Sequence, residues 1–178
     1  MARRFTLQFP AEEIPQLAAR FSYPKPADHC LAAGAAARAR GHYDRDEFVL
    51  VCAWKTERSR SLVASNSVTA IELATGRALR VKDEAKRMEA LTALDGVGVP
   101  TASALLFFAF PTEYPILDVR ALESLGHKAR TVYPTDYWVE YLLACRRIAD
   151  ESGVPIRTLD KALWQASKEK GESLDRGG

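Results

Sequence analysis

The feature that most constrains this chain is a junction. Gly96-Val97-Gly98-Val99-Pro100 leads directly into Thr101 to Phe110, a run in which nearly every side chain is apolar. A helix apolar all round is stable only when other elements cover every face, so this one belongs at the centre of the fold. Upstream, Ala85, Met88, Leu91 and Leu94 recur every three residues among Lys86, Arg87 and Glu89, the pattern of a helix with one buried stripe. Gly96 and Gly98 can take backbone conformations closed to residues with a Cβ, and Pro100 suits a helix start. The unit is therefore helix, glycine hairpin, helix. Uncovered N–H groups at the start of the second helix, with the positive end of its dipole behind them, form an anion site that fits a DNA phosphate.

Beyond the apolar run, Phe110-Pro111-Thr112-Glu113-Tyr114-Pro115 is too proline-rich to be helical. It delivers Ile116-Leu117-Asp118-Val119-Arg120, so Asp118 is the carboxylate placed by a stiff loop.

This order of parts resembles the helix-hairpin-helix DNA glycosylase superfamily. There, a Leu-Pro-Gly-Val-Gly-x-Lys-Thr-Ala hairpin precedes a loop bearing an essential aspartate. Leu94, Gly96, Val97, Gly98, Thr101 and Ala102 match the hairpin, and Asp118, 18 residues after Pro100, stands where the family aspartate would. Only the central third of the chain carries the likeness. The resemblance implies an abridged all-α fold, base excision with Asp118 as the catalytic residue, and DNA contacts from Gly96, Val97, Gly98, Val99 and Thr101. It also implies a K+ or Na+ ion under the hairpin, held by the backbone carbonyls of Thr92, Leu94 and Val97, though such carbonyls also bind water. Pro100 occupies the position of the Schiff-base lysine of the bifunctional members, which excludes lyase chemistry from that position and leaves a monofunctional enzyme at most. Asp95 replaces the usual proline, and the segment between Asp118 and Leu125-Gly126 is shorter than the family's. Nothing resembles the four clustered cysteines of the iron–sulfur members, so no cluster is expected.

The 178 residues suit one domain, with a polar C-terminal tail from about 168 to 178 predicted to fray. Net charge is only +2, so DNA affinity must come from a localised basic face. Cys30, Cys52 and Cys145 are odd in number and widely separated, which argues for buried thiols in a reducing cytosol rather than disulfides or zinc. His29, His42 and His127 form no metal constellation. The basic start Met1-Ala2-Arg3-Arg4 has no apolar stretch behind it, and 102–110 is too short to span a bilayer, so a cytoplasmic location is expected.

Elsewhere the pattern predicts a short helix around Ile14, Leu17 and Phe21. A second is expected from Pro26 to Arg40, tolerating Gly34 and stopped by Gly41, and a third opened by an Asp44/Glu47 capping box and ending near Trp54. Trp54-Lys55-Thr56-Glu57-Arg58-Ser59-Arg60 reads as a polar loop between helices. An aromatic beside cations can stack on a base while the cations hold phosphates, so Trp54, Lys55, Thr56, Arg58 and Arg60 are candidate DNA contacts. Each has a plainer reading: Trp54 as core, the arginines as surface charge. Lys55 is the alternative nucleophile by residue type, with nothing in the sequence to place it near Asp118.

The next segment is expected to be helical to a stop at Gly76, followed by a connector from Arg77 to Lys82. His127-Lys128-Ala129-Arg130 is a further small basic patch. One stripe of Tyr137, Trp138, Tyr141, Leu142, Cys145 and Ile148, then Leu159, Ala162, Leu163 and Ala166, predict two closing helices and no strand.

Asp118 admits two roles. Beside a nucleobase it would stabilise positive charge developing on the sugar and orient water; otherwise it caps the following helix, a role that contributes about 1 kcal/mol. The expected function is DNA binding of base-excision-repair type, with glycosidic hydrolysis at Asp118. The alternatives are a catalytically silent DNA-binding module and a protein-interaction domain.

Overall fold

The computed structural model describes residues 5–176, so the basic start Met1-Ala2-Arg3-Arg4 and the terminal Gly177-Gly178 lie outside the described residues. Among the described residues all regular structure is helical. The α-helices are α1 (Ile14–Ala19), α2 (Asp28–Arg40), α3 (Arg45–Lys55), α4 (Arg60–Ala64), α5 (Val68–Arg80), α6 (Glu84–Thr92), α7 (Val99–Ala109), α8 (Val119–Ser124), α9 (Thr135–Ser152) and α10 (Ile156–Arg176). Single 3-10 turns at Ala11–Glu13 and Glu57–Ser59 precede α1 and α4.

The helix ends follow local chemistry. Asp44 accepts the Glu47 N–H at 2.9 Å while Glu47 accepts the Asp44 N–H at 3.0 Å, the reciprocal capping box that opens α3. Asp83 caps α6 through the Lys86 N–H. Gly41 closes α2 at φ 93°, where a Cβ would be strained.

As its composition demands, α7 is the central element. Its residues from Thr101 to Ala109 are buried, with α2, α3 and α6 packed around it. Each fully buried Leu or Phe there contributes roughly 1.5–3 kcal/mol. Against α2 the approach is backbone to backbone. A Cβ on Gly34 would lie 2.0 Å from the Phe108 carbonyl oxygen, so Gly34 is a point of backbone-to-backbone contact rather than a tolerated helix weakener.

The predicted stripe on α9 is buried in full, and α10 covers α1 and α8. The buried apolar side chains form a single cluster from Phe5 to Leu163, and Cys30, Cys52 and Cys145 sit within it as free thiols.

Three expectations need correction. Gly76 does not end its helix: α5 runs on to Arg80, with Gly76 buried inside it and outside the left-handed region that a glycine stop uses. The stretch from Trp54 to Arg60 is not a loop, since α3 extends to Lys55 and only Thr56 separates it from the 3-10 turn that starts α4. Nor does the tail fray at Lys168. The helix continues to Arg176, pinned by Arg20 to Glu169 and by Lys168 to the Ser22 hydroxyl at 2.8 Å. No helix among the described residues is long and apolar enough to cross a membrane.

A candidate cleft around Asp118 and Lys55

Asp118 is placed by a chain of hydrogen bonds that begins in α7. Ser103, a polar residue in the apolar run, donates from its hydroxyl to the Pro100 carbonyl at 2.7 Å and accepts the Leu117 N–H at 2.9 Å. One side chain therefore ties the loop to the start of α7. A residue earlier, the Ile116 N–H donates to the buried Asp160 carboxylate at 3.2 Å, and the Ile116 carbonyl accepts the Tyr141 hydroxyl at 2.9 Å. With the two residues before it fixed, Asp118 has little freedom.

Its two carboxylate oxygens do different things. Oδ1 accepts the Arg120 N–H at 2.9 Å and so caps α8, while Oδ2 accepts from Lys55 Nζ at 2.8 Å. The Lys55 side chain is only 9% exposed and that of Asp118 24%, so the pair is largely withdrawn from water. Lys55 is in the last turn of α3, where a cation is favoured by the helix dipole, and α3 packs on α7, which brings it to the loop leaving α7.

The glycine turn is built by two distinct glycines. Gly96 has φ 78°, and a Cβ there would meet Val63 Cγ1 at 2.8 Å. Gly98, by contrast, has φ −85°, and a Cβ there would make only an ordinary contact with Pro100 Cδ at 3.7 Å, so of the two glycines Gly96 alone uses a conformation closed to residues with a Cβ. Asn66 holds the turn from outside. It accepts the Asp95 N–H and donates to the Asp95 carbonyl, both at 2.9 Å, and also donates to the Val63 carbonyl. No side chain caps the start of α7, where Gly98, Val99 and Pro100 line a cleft. Below the turn, the Leu94 carbonyl accepts the Val97 N–H at 3.2 Å, and the Thr92 hydroxyl bonds back to the Met88 carbonyl.

These parts meet at a cleft of about 560 Å³. Gly98, Val99 and Pro100 form one wall; Lys55, Thr56 and Arg58 form another; Asp118 lies between them. The segment from Arg130 to Thr135 closes the remaining side. Lys55, Arg58 and Arg130 face a single carboxylate, so the cleft is positive in a chain whose net charge is only +2. Arg130 is held with its guanidinium 4.9 Å from the Tyr137 ring and its backbone N–H donating to the Tyr133 hydroxyl.

Behind Lys55 and Asp118 lies a second, tighter recess of about 30 Å³, lined by Phe21, Tyr23, Trp54, Trp164 and the Arg157–Asp160 ion pair. It has room for a water or two. The Tyr23 phenol is pushed up, first by burial and then by the negative charge of Asp118. Burial likewise raises the Asp160 carboxyl, against the opposing pull of Arg157 and the Ile116 N–H.

Not every predicted contact reaches the cleft. Trp54 lines the recess, with its indole N–H donating to the Pro26 carbonyl and its ring edge-on to Phe108. Arg60 is paired with Glu57 at 2.6 Å and lines neither cavity. Val97 and Thr101 are buried and line neither cavity, and Gly96 packs over Val63. Of the patch from His127 to Arg130, only Arg130 enters the cleft; the His127 ring stacks on Phe5 at 4.1 Å.

Sequence reasoning missed Tyr23, Asn66, Ser103, Tyr133 and Trp164. Ser103 alone carried a signal, as a hydroxyl in an otherwise apolar helix. Among the described residues no group of histidine, cysteine, aspartate or glutamate is arranged to hold a metal. No family model matches this chain, and neither the curated proteins nor the solved structures contain a match.

Proposed function

We propose that the chain binds duplex DNA along the positive cleft and hydrolyses the N-glycosidic bond of a damaged base at Asp118. The observation that carries this reading is the convergence of three segments distant in sequence. The start of α7, the Lys55 to Arg58 segment and Asp118 all line one cleft. Uncapped N–H groups and three cations suit a phosphate backbone, and a carboxylate beside them suits a sugar on which positive charge develops. At about 4 Å and an effective dielectric near 20, that carboxylate contributes on the order of 4 kcal/mol in the transition state. A K+ or Na+ held by the Thr92, Leu94 and Val97 carbonyls belongs to the same reading, as added positive charge beneath a phosphate.

The test is release of a free base from duplexes carrying a panel of lesions, comparing the native protein with Asp118→Asn. Excision by the native chain, abolished in the variant with duplex affinity retained, is the expected result. No release across the panel overturns the catalytic reading.

One observation favours a catalytically silent DNA-binding module instead. Both oxygens of Asp118 already have partners, the Arg120 N–H and the Lys55 ammonium, as they would if the residue only capped and braced α8. That alternative expects salt-sensitive duplex binding, with a slope near −0.9 for each phosphate neutralised, and DNA that is recovered unchanged.

A further inference from the structure

We infer that a separate hollow, between α8, α10 and the N-terminal segment, is a binding site for the phosphate monoester of a nucleotide. It does not depend on the DNA reading of the cleft, since the hollow shares no lining residue with the cleft or the recess.

Three parts of the chain build its walls. The segment 5–9 is laid along the end of α8 by the Thr6 N–H, which donates to the Leu125 carbonyl at 3.1 Å, and the Gln8 N–H, which donates to the Ser124 carbonyl at 3.0 Å. Gly126 turns the chain there in the left-handed region at φ 79°, and a Cβ on it would meet Gln8 Nε2 at 2.9 Å. From the other side α10, packed on α8, supplies Lys170, Gly171 and Leu174. The enclosed volume is about 600 Å³, in the range of small-ligand sites.

Three cations line this hollow, Arg120, Lys128 and Lys170, and none of their side chains meets a hydrogen-bond acceptor or a carboxylate among the described residues. Elsewhere on the surface Arg20, Arg40, Arg60, Arg147 and Arg157 each meet one. Glu123, the one carboxylate among the described residues that line the hollow, already accepts the Ser167 hydroxyl. The excess positive charge is what a phosphate monoester, with about two negative charges at neutral pH, neutralises. Arg120 is set in advance for this. It is half-buried, with its guanidinium 5.5 Å from the centre of the Trp164 ring, which holds the planar fork and leaves its N–H donors for an anion.

Gly171 points the same way. It lies inside α10, where glycine weakens a helix relative to alanine, and a Cβ there would meet only Arg120 Nη1, at 4.0 Å. Packing therefore does not require a glycine; its missing side chain keeps the Arg120 guanidinium open to the hollow. Phe9, half-buried, and Leu174, exposed, add apolar surface beside the cations. Inorganic phosphate would leave that surface and most of the volume unused. A nucleoside 5′-monophosphate uses both, with its base against Phe9 and its phosphate on Arg120. The free nucleotide and the 5′-phosphorylated end of a DNA strand carry this same group.

The experiment is calorimetric titration of the full chain with thymidine 5′-monophosphate and with thymidine. The monophosphate is expected to bind and the nucleoside not. Arg120→Gln should weaken binding by about tenfold. Gly171→Glu should weaken it by about as much or more while the fold is kept, because glutamate is the better helix former and places a carboxylate beside Arg120. Arg58→Ala, which alters the cleft, should leave the affinity unchanged. A second titration compares one DNA strand with a 5′-phosphate and with a 5′-hydroxyl. Tighter binding of the phosphorylated strand, with the advantage removed by Gly171→Glu, assigns the site to strand ends; equal binding assigns it to the free nucleotide. No binding of the monophosphate, equal binding of thymidine, or a loss caused by Arg58→Ala but not by Gly171→Glu overturns the inference and leaves the reading of the Asp118 cleft untouched.

Discussion

The two cavities that share Lys55 and Asp118 are made of opposite materials. The cleft is walled by backbone, threonines and three cations; the recess is lined by half-buried aromatic rings packed edge to face and by the Arg157–Asp160 pair. The rings of the recess are committed to one another and to the core, as Trp54 is to Phe108, whereas the groups lining the cleft include uncapped N–H donors and an exposed arginine. The difference teaches that aromatic residues near a charged site need not be its binding surface. Here they cover one side of the Lys55–Asp118 pair and limit its contact with water, which strengthens whatever electrostatic work the pair does.

The comparison can be broken at the shared pair first. Asp118→Asn is expected to lower base excision by roughly a thousandfold, the equivalent of about 4 kcal/mol, as read by single-turnover kinetics on a lesion duplex. On the recess side, Trp54→Ala should destabilise the fold by about 3 kcal/mol in denaturant unfolding, because it removes a ring packed on Phe108. Duplex affinity well below the melting temperature should be unchanged; a large loss of affinity in a variant that still folds would move Trp54 into the binding surface.

On the cleft side the balance reverses. Gly98→Ala makes only an ordinary contact with Pro100 at an ordinary φ, so melting should not move, while a methyl over the α7 start should weaken duplex binding by about 1 kcal/mol, roughly fivefold. Gly96→Ala is its control and should lower stability, since the left-handed backbone and Val63 both resist a Cβ. Smaller still, Arg58→Ala and Arg130→Ala should each make the dependence of log affinity on log salt shallower by about 0.9.

The least effect concerns the outer brace of the recess. The Arg20 guanidinium, with Gln165, holds the Glu169 carboxyl down to about 2, below its ordinary 4.5. A lowered acid pKa adds stability that is complete above about 4.5 and disappears as pH falls toward 2, so the native chain should lose more stability across that window than Glu169→Gln. Unfolding curves at stepped pH would measure it.

Much of this molecule was legible along the chain. The Asp44/Glu47 box, Gly41 after α2, the stripe of α9 and the all-apolar α7 each reflect physics confined to a turn or two of backbone, which is why they can be seen without a structure. Asp118 stood out because a proline-rich loop has few ways to run. The misread segments share one cause. Gly76 looks like a stop and Gly34 like a blemish because, in sequence, a glycine shows only its flexibility; the helix that comes within a Cβ's width of Gly34 is invisible. Trp54 to Arg60 looks like a loop because it is polar, although its backbone is helical on both sides of Thr56.

By itself, then, the sequence determined where the helices start, which of them must be central, and which carboxylate follows the glycine turn. Only the tertiary structure decided that Lys55 meets Asp118 across 63 residues, that Asn66 clamps the turn, and that Trp54 faces the recess rather than the cleft. Helix boundaries depend on hydrogen bonds a few residues apart, but which charges meet depends on how α3 packs against α7. That packing is set by the summed shape of many buried side chains, which no single local pattern records.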